Sequence, residues 1–156
     1  LGVVHAPVLN VTYAAARGYG ARKLRTNKET TIKVSQPEGN LRLVMSRSHA
    51  NQATQQFVGR VEEEYRVEAV SKGSSLKMCL VAEGSAHLYP RLGPTMEWDV
   101  AAAQCVVEQA GGKLVTLDGE PMAFNRQNLL NEPFLACFGE VDRWLDLLGD
   151  RSSVVI

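Results

Sequence analysis

The chain has 156 residues, of which 45% are hydrophobic, and its 17 basic and 17 acidic residues give a formal net charge of +0. This length and apolar content are sufficient for a domain of ordinary size with a hydrophobic core, and they exclude a disordered chain. Without a basic surplus, the composition gives no support for non-specific binding to nucleic acid or to membranes. Any anion site must therefore come from a few locally placed cations.

The three cysteines, Cys79, Cys105 and Cys137, are far apart and each lies within an apolar run. An odd count without CxxC spacing argues against a disulfide framework or a zinc site. We interpret them as small buried hydrophobic residues in a reducing compartment. No apolar run approaches the ~20 residues of a membrane span. We therefore expect a cytoplasmic location, either free or at the inner membrane surface.

Two β-rich runs, GVVHAPVL and VTYAAARGYGARK, open the chain and are separated by Asn10. This pattern predicts a β-hairpin, and the glycines of RGYGA predict a turn or bulge near its far end. The polar stretch 22–40 is interpreted as a segment that crosses between two sheets. We accordingly assign residues 1–33 to the end of an N-terminal sheet domain and residues 34–156 to a C-terminal α/β domain.

The next stretch alternates between predicted strands and helices. LRLVMS predicts a short buried strand, and Ala53, Phe57 and Val61 at helical spacing predict a helix over NQATQQFVGRVEE. YRVEAVSK alternates as a strand. SSLKMCLVAEGSAHLY is apolar on most faces, which predicts a buried helix with Gly84 near its end.

A turn at Gly93-Pro94 precedes a helix that is predicted to start at Asp99. One face of that helix carries an apolar stripe of Val100, Ala103, Val107 and Ala110. KLVTLDGEPM predicts a strand that leads into a turn, FLACFG a strand, and VDRWLDLLG an amphipathic closing helix. From Leu41 onward the order is strand, helix, strand, helix, helix, strand, strand, helix. This order predicts an α/β layer fold with a mainly parallel sheet.

Asp99 directly follows Trp98 at the mouth of this helix. Aspartate is favoured at a helix N-cap, where it complements the helix dipole and contributes roughly 1 kcal/mol. A carboxylate is also a hard oxygen ligand, and Mg²⁺ prefers carboxylates together with substrate phosphates. Both interpretations stay open, because a capping carboxylate keeps a free lone pair.

The segment KGSSLK combines a glycine, two serines and a lysine at a predicted helix start. This arrangement leaves backbone N–H groups free to hold an anion, and simple capping by Ser74 or Ser75 is the alternative. Lys77 weakens that alternative, because a cation in the first helical turn opposes the helix dipole. A bound phosphate flanked by Ser74 and Lys77 would relieve the conflict.

Two further segments carry candidate phosphate contacts. SRSH, residues 46–49, follows a strand and precedes a helix, and ligands bind at that edge of open α/β sheets. His49 could donate a hydrogen bond to a phosphate, or it could cap or pack in a loop. Arg91 lies between prolines in LYPRLGP, which predicts a rigid turn just before Asp99. Arginine suits bidentate phosphate recognition, and a solvent-exposed arginine is the other interpretation.

These segments together resemble one family. WDVAAAQCVVEQAGG resembles the C-terminal signature of the inositol monophosphatase superfamily, a Trp-Asp-x-Ala-Ala run that ends in Ala-Gly-Gly. SRSH, GSSLKMCLVAEG, HLYPR and GPTMEWD resemble its CysQ-type 3'(2'),5'-bisphosphate nucleotidases more than its inositol phosphatases. The opening GVVHAPVLNVTYAAARGYGA is similar to the central hairpin of this family, so the resemblance covers nearly the whole chain.

The resemblance implies a layered α-β-α-β-α sandwich and an Mg²⁺-dependent attack of water on a phosphate ester. The typical reaction converts adenosine 3',5'-bisphosphate to AMP and phosphate, which recycles a by-product of sulfate assimilation. Carried over by motif, Asp99 is expected to bind the metal. The expected contacts to the small phosphorylated substrate are His49, Gly73, Ser74, Lys77 and Arg91. An inositol or fructose bisphosphate phosphatase and a non-catalytic phosphate-binding module remain alternatives.

The sequence departs from the family at the metal site. The other metal ligands of the family come from a Glu-Glu motif and an Asp-Pro-x-Asp-Gly-Thr motif upstream of the hairpin, and neither is found there in this sequence. A single carboxylate cannot hold two Mg²⁺ ions tightly. We therefore expect the chain to be the C-terminal part of a longer protein and to be inactive or nearly so by itself. We also expect it to self-associate through open strand edges and apolar surface.

Overall fold

The computed structural model describes residues 1–45 and 51–149. They form a four-stranded sheet, a five-stranded sheet and four α-helices. The strands of the first sheet are β1 Gly2–Ala6, β2 Val11–Ala16, β3 Gly20–Arg25 and β4 Lys28–Ile32. Those of the second are β5 Leu41–Met45, β6 Val67–Ser71, β7 Leu88–Arg91, β8 Lys113–Thr116 and β9 Phe134–Cys137. The helices are α1 Gln52–Glu64, α2 Leu76–Ala82, α3 Glu97–Gln109 and α4 Val141–Asp146, and a 3₁₀ turn spans Pro7–Leu9.

The first sheet is antiparallel in the order β1-β2-β3-β4. The predicted hairpin is confirmed: β1 and β2 pair antiparallel, and Asn10 turns the chain in the left-handed region with φ 47°. The prediction of a crossing segment over 22–40 was wrong for its first half, which forms most of β3 and most of β4. Those strands are rich in polar residues because an antiparallel sheet can leave part of its surface in water. Only residues 33–40 connect the two sheets.

The second sheet has the order β6-β5-β7-β9-β8. β5 pairs in parallel with β6 and β7, whereas β9 pairs antiparallel with β7 and β8, so the sheet is mixed rather than mainly parallel. Strand β7 was predicted as part of a helix and a turn. Continuous apolar sequence cannot distinguish a buried helix from a buried strand, and Gly84 at φ 72° ends α2 well before β7 begins.

The elements stack in four layers. Helices α2 and α3 lie between the two sheets, because α3 contacts β1, β2 and β3 on one side and β8 on the other, while α2 contacts β7 and β9. The predicted α3 stripe of Val100, Ala103, Val107 and Ala110 is buried there. Helices α1 and α4 cover the opposite face of the second sheet through Phe57, Val61 and Trp144, which confirms the spacing predicted for α1. Each of these large side chains contributes about 1.5–3 kcal/mol on burial.

The main core cluster joins residues of both sheets, such as Tyr13 from the first and Phe134 from the second. The division of the chain into two domains at residue 33 stays a prediction. Val8 and Leu9 beside the edge strand β1 are exposed, as the predicted self-association requires, but self-association also stays a prediction.

Cys79 and Cys137 are fully buried free thiols, as predicted, and burial raises the pKa of each to about 12. Cys105 is a free thiol that is only partly buried. No helix within the described ranges is both long and apolar enough to cross a lipid bilayer.

Candidate functional site

A cavity of about 300 Å³ opens where the N-terminal ends of α2 and α3 meet the C-terminal end of β7. It brings together four residues singled out from the sequence: Ser74, Lys77, Arg91 and Asp99. The rest of its lining consists of Ser75, Met78, Tyr89, Thr95, Val100 and Phe134. One concave surface therefore carries two cations, one carboxylate, two serines and one threonine.

Lys77 is the second residue of α2 and is only 7% exposed. Its Nζ atom lies 5.3 Å from the centre of the Tyr89 ring. No carboxylate of the described residues lies within ion-pairing distance of this ammonium group. Burial, followed by repulsion from Arg91, lowers the pKa of Lys77 below its ordinary value. Lys77 is thus a buried cation held beside a second cation, which is an electrostatically unfavourable arrangement.

Arg91 is the last residue of β7, so the prediction of a rigid turn at this position was wrong. The strand tolerates Pro90 because β7 registers with β5 only at Leu88, which leaves no ladder bond for the proline nitrogen on that side. The Nη2 atom of Arg91 donates to the carbonyl oxygen of Pro94 at 2.6 Å. Burial raises the pKa of Tyr89, and Arg91 opposes that rise through its charge and a hydrogen bond. The guanidinium group therefore acts on both Lys77 and Tyr89.

Asp99 is the third residue of α3, and Met96 occupies the N-cap, so the predicted helix start at Asp99 was two residues late. The carboxylate still caps the helix, because its Oδ2 atom accepts a hydrogen bond of 3.0 Å from the backbone nitrogen of Met96. Its Oδ1 atom makes no hydrogen bond to the described residues, and the side chain is exposed at the cavity. Capping and ligand binding thus remain compatible in this geometry.

Side-chain capping of α2, the alternative interpretation of KGSSLK, does not occur at the N-cap. Ser75 holds the N-cap without a side-chain cap bond, and its hydroxyl donates instead to the carbonyl oxygen of Asp99 at 2.8 Å. Ser74 has φ 54°, in the left-handed region that non-glycine residues seldom adopt. Backbone strain of this kind costs about 1–3 kcal/mol and clusters at functional sites. The bond from Ser75 ties the starts of α2 and α3 together beneath the cavity.

Two predicted contacts, Gly73 and His49, are not among the lining residues that the structure describes. Gly73 precedes Ser74 but is not part of the lining, and a Cβ atom built on it meets nothing within 4 Å. His49 lies outside the described residues. Sequence reasoning missed Tyr89 and Thr95. Tyr89 lies two residues before Arg91, so a strand prediction for β7 would have placed both on one face.

A loop that follows β8 holds the start of α3 in place. The carboxylate of Glu97 accepts backbone hydrogen bonds from Asn125 at 2.7 Å and from Arg126 at 3.1 Å. Asn131 binds Thr95 through its backbone nitrogen at 2.8 Å and through its side chain at 3.2 Å. Burial raises the pKa of Glu97, but these hydrogen bonds and the Arg126 charge outweigh burial and leave the pKa below its ordinary value. The loop thereby orients the helix turn that carries Asp99.

The described residues fit only part of an Mg²⁺ site. Mg²⁺ requires octahedral oxygen coordination, and it commonly keeps several waters and uses one or two carboxylates with substrate phosphates. Asp99 can fill one such position, since it lines the cavity and its Oδ1 atom accepts no hydrogen bond from the described residues. Over residues 1–45 and 51–149, no group of three or more histidine, cysteine, aspartate or glutamate side chains could hold a metal ion. The carboxylate of Glu97 is engaged by the loop.

Comparison with known proteins gives a consistent family assignment. Residues 1–140 match the inositol monophosphatase family. The chain is 40% identical over 136 residues to the 3'(2'),5'-bisphosphate nucleotidase CysQ of Escherichia coli K12. The aligned region covers 86% of this chain and 53% of the relative. The CysQ protein of Shigella flexneri is 43% identical over 135 residues, with the same two shares. The chain thus spans about half the length of the curated relatives it matches.

Solved structures give the same family assignment. The crystal structure of CysQ from Bacteroides thetaiotaomicron, a bacterial member of the inositol monophosphatase family, has a TM-score of 0.82 and 33% identity. That match covers 88% of this chain and 58% of the solved chain. Inositol monophosphatase from Anabaena has a TM-score of 0.71 and 25% identity, and it covers 94% and 57% of the two chains. The predicted family and the predicted layered α/β fold are confirmed.

Proposed function

Because the chain belongs to the inositol monophosphatase family, we propose that it forms the substrate-binding part of a phosphatase that acts on nucleoside 3',5'-bisphosphates. The reaction would release the 3'-phosphate of adenosine 3',5'-bisphosphate and leave AMP. Support comes from two sources: the similarity to relatives named 3'(2'),5'-bisphosphate nucleotidase, and the cavity that holds Lys77, Arg91 and Asp99 together.

The observation that carries this proposal is the buried, unneutralised charge of Lys77. A buried ammonium group without a carboxylate partner is destabilising, and the neighbouring Arg91 adds repulsion. An anionic ligand placed between the two cations would remove both penalties. Guanidinium and ammonium groups are also the side chains that bind phosphate most strongly in proteins. A substrate with two phosphates gives these cations one phosphate to hold while the other is hydrolysed.

The other lining residues would orient the ester. Ser74 and Thr95 present hydroxyl groups that can donate to phosphate oxygens, and Asp99 offers a free carboxylate oxygen to a metal. When bound, Mg²⁺ supplies water activation and charge neutralisation at the reacting phosphate. We assign His49 and Gly73 to the substrate contacts as part of the same proposal, on the basis of the family motif alone.

We further propose that this chain by itself hydrolyses its substrate very slowly while still binding it. The described residues offer one carboxylate at the cavity, whereas a two-metal site needs several. The same observation favours a second candidate function, a phosphate-binding module without catalysis. The two candidates differ in turnover, and they share the binding site.

Binding and turnover can be measured separately. We expect adenosine 3',5'-bisphosphate to bind about tenfold or more tightly than AMP in titration calorimetry, since the second phosphate adds a charge-assisted contact. The same experiment with inositol 1-phosphate tests the alternative substrate class. Replacement of Lys77 by methionine, an unbranched apolar side chain that lacks only the terminal ammonium position, should remove the preference for the bisphosphate. Lys72→Met is the matched control, because Lys72 is exposed and outside the lining.

The outcomes separate the candidates. Equal affinity for AMP and the bisphosphate would contradict the proposed substrate, as would tighter binding of inositol 1-phosphate. Release of phosphate that rises with Mg²⁺ and disappears in Asp99→Asn would support the hydrolase. Binding without any release, even when Mg²⁺ is saturating, would support the non-catalytic module.

A further inference from the structure

We propose that the protein has a second anion site, separate from the cavity at Asp99, which binds a linear chain of phosphates. The site is a groove of about 430 Å³ between the β3–β4 hairpin and the C-terminal end of α2. Four cations line it, Lys23, Arg25, Lys28 and Lys33, together with a single carboxylate, Glu83.

The groove lies on one face of the first sheet. Lys23 and Arg25 alternate with Leu24 along β3, so their side chains leave the strand on the same side. Across the ladder Arg25 registers with Lys28. The same face starts at the Ala21–Ile32 pair, which is buried against the helix layer. The inner face of the sheet thus changes from apolar to cationic as it passes beyond the helices.

The carboxylate of Glu83 is already fully engaged. It accepts hydrogen bonds from the Tyr13 hydroxyl at 2.9 Å and from the Ser85 hydroxyl at 2.8 Å, and it pairs with the ammonium group of Lys23. Lys23 and Glu83 therefore neutralise each other. Over the described ranges, Arg25, Lys28 and Lys33 are in no ion pair.

The three remaining cations form a local concentration of positive charge in a chain whose formal net charge is +0. Arg25 and Lys28 are directly opposite each other in the ladder, and like charges in that position destabilise a sheet. An unfavourable pair of this kind that no neighbouring group offsets tends to mark a functional site. An anion that bridges the two side chains would turn their repulsion into a favourable contact.

The lining indicates the class of anion. Besides its charged residues, the groove has the exposed hydroxyl group of Thr30, which lies on the same face as Lys28 and can donate to a phosphate oxygen. The residues that line it include no aromatic side chain, so it lacks the stacking surface on which proteins bind nucleic-acid bases. A chain of phosphates without bases, such as an inorganic oligophosphate, fits these features better than a single-stranded nucleic acid.

The groove and the first cavity are independent. They share no lining residue and lie at opposite ends of α2, whose seven residues span about 10 Å. A ligand of the groove can therefore be studied in a protein whose first cavity has been disabled. This inference does not depend on the proposed phosphatase function.

The test is titration calorimetry of the full chain with inorganic tripolyphosphate in the absence of divalent metal. We expect the groove variant Arg25→Gln/Lys28→Gln/Lys33→Gln to bind about tenfold or more weakly than the unmodified chain, because each lost cation removes a charge-assisted contact. The charge-matched control removes three exposed cations outside the groove, Arg17→Gln/Arg66→Gln/Lys113→Gln. Circular dichroism and thermal unfolding would establish that each variant is folded.

Binding should be retained in the charge-matched control and in Arg91→Gln, which disables the first cavity. Orthophosphate should bind more weakly than tripolyphosphate. Equal weakening of both triple variants would reduce the effect to general electrostatics and overturn the site. Loss of binding in Arg91→Gln would assign the tripolyphosphate to the first cavity and also overturn it. Tighter binding of a single-stranded oligonucleotide of the same charge would contradict a ligand made of phosphates alone.

Discussion

Between pH 7 and pH 5, the protonation of His87 should destabilise this protein. His87 is fully buried directly before β7, where its Nδ1 atom accepts a hydrogen bond of 2.9 Å from the backbone nitrogen of Arg42. Its Nε2 atom lies 3.1 Å from the Arg42 guanidinium. A protonated ring would point N–H groups at both of these donors. Burial, assisted by the Arg42 charge, lowers the pKa of His87 to about 4.

The direction of this pH dependence follows from the number of protons that the unfolded and folded states bind. In the unfolded chain the histidine titrates near its ordinary pKa of 6.5, so between pH 6.5 and pH 4 the unfolded state binds more protons than the folded state. The contribution of His87 is therefore present above pH 6.5 and is lost as the pH falls toward 4. Between pH 7 and pH 5 this difference lowers the free energy of unfolding by about 2 kcal/mol.

Urea unfolding at these two pH values, followed by circular dichroism, measures the loss. His87→Asn should remove most of it, because an asparagine oxygen can still accept the bond from Arg42 but does not titrate. His5→Gln is the control, since His5 is exposed. If the loss between pH 7 and pH 5 is the same in His87→Asn as in the unmodified chain, the assignment to His87 is wrong.

Other predictions concern packing and the loop at α3. A methyl group on Gly2 would lie 2.2 Å from the backbone oxygen of Ala102, so Gly2→Ala should lower the free energy of unfolding by about 1–3 kcal/mol in urea titrations. A Cβ atom added at the exposed helical Gly59 would meet nothing within 4 Å, so Gly59→Ala should instead raise the free energy of unfolding by about 0.5–1 kcal/mol. A lower free energy of unfolding in Gly59→Ala would contradict this prediction. The backbone amides of Asn125 and Arg126 donate to the carboxylate of Glu97, so Glu97→Gln should speed hydrogen exchange at both amides. Unchanged exchange rates would contradict the proposal that the loop after β8 is held to α3 by Glu97.

Local pattern was sufficient for the elements that bury one face. The helical spacing of Phe57 and Val61 predicted α1, and the apolar stripe beginning at Val100 predicted the buried face of α3. Asn10 between two β-rich runs predicted the first hairpin. These features depend on residues close together in the chain, so periodicity and turn chemistry reveal them.

Three errors arose where local sequence is ambiguous. The polar strands β3 and β4 were interpreted as a connection because only part of each is buried. Strand β7 was merged with a helix because both are apolar and buried. The start of α3 was placed at Asp99 instead of Glu97, because an acidic residue suits the N-cap and the first turn equally well.

By itself, the sequence determined the family signature, the main helices and the residue types able to bind a phosphate. Their convergence was decided by tertiary structure, since Lys77, Arg91 and Asp99 come from three elements that meet only through the packing of α2 on α3 and the pairing of β7 with β9. The cationic groove was likewise invisible in the sequence, because the register of β3 on β4 sets Arg25 opposite Lys28. Contacts between distant residues are specified by the whole fold, and no short stretch of sequence contains them.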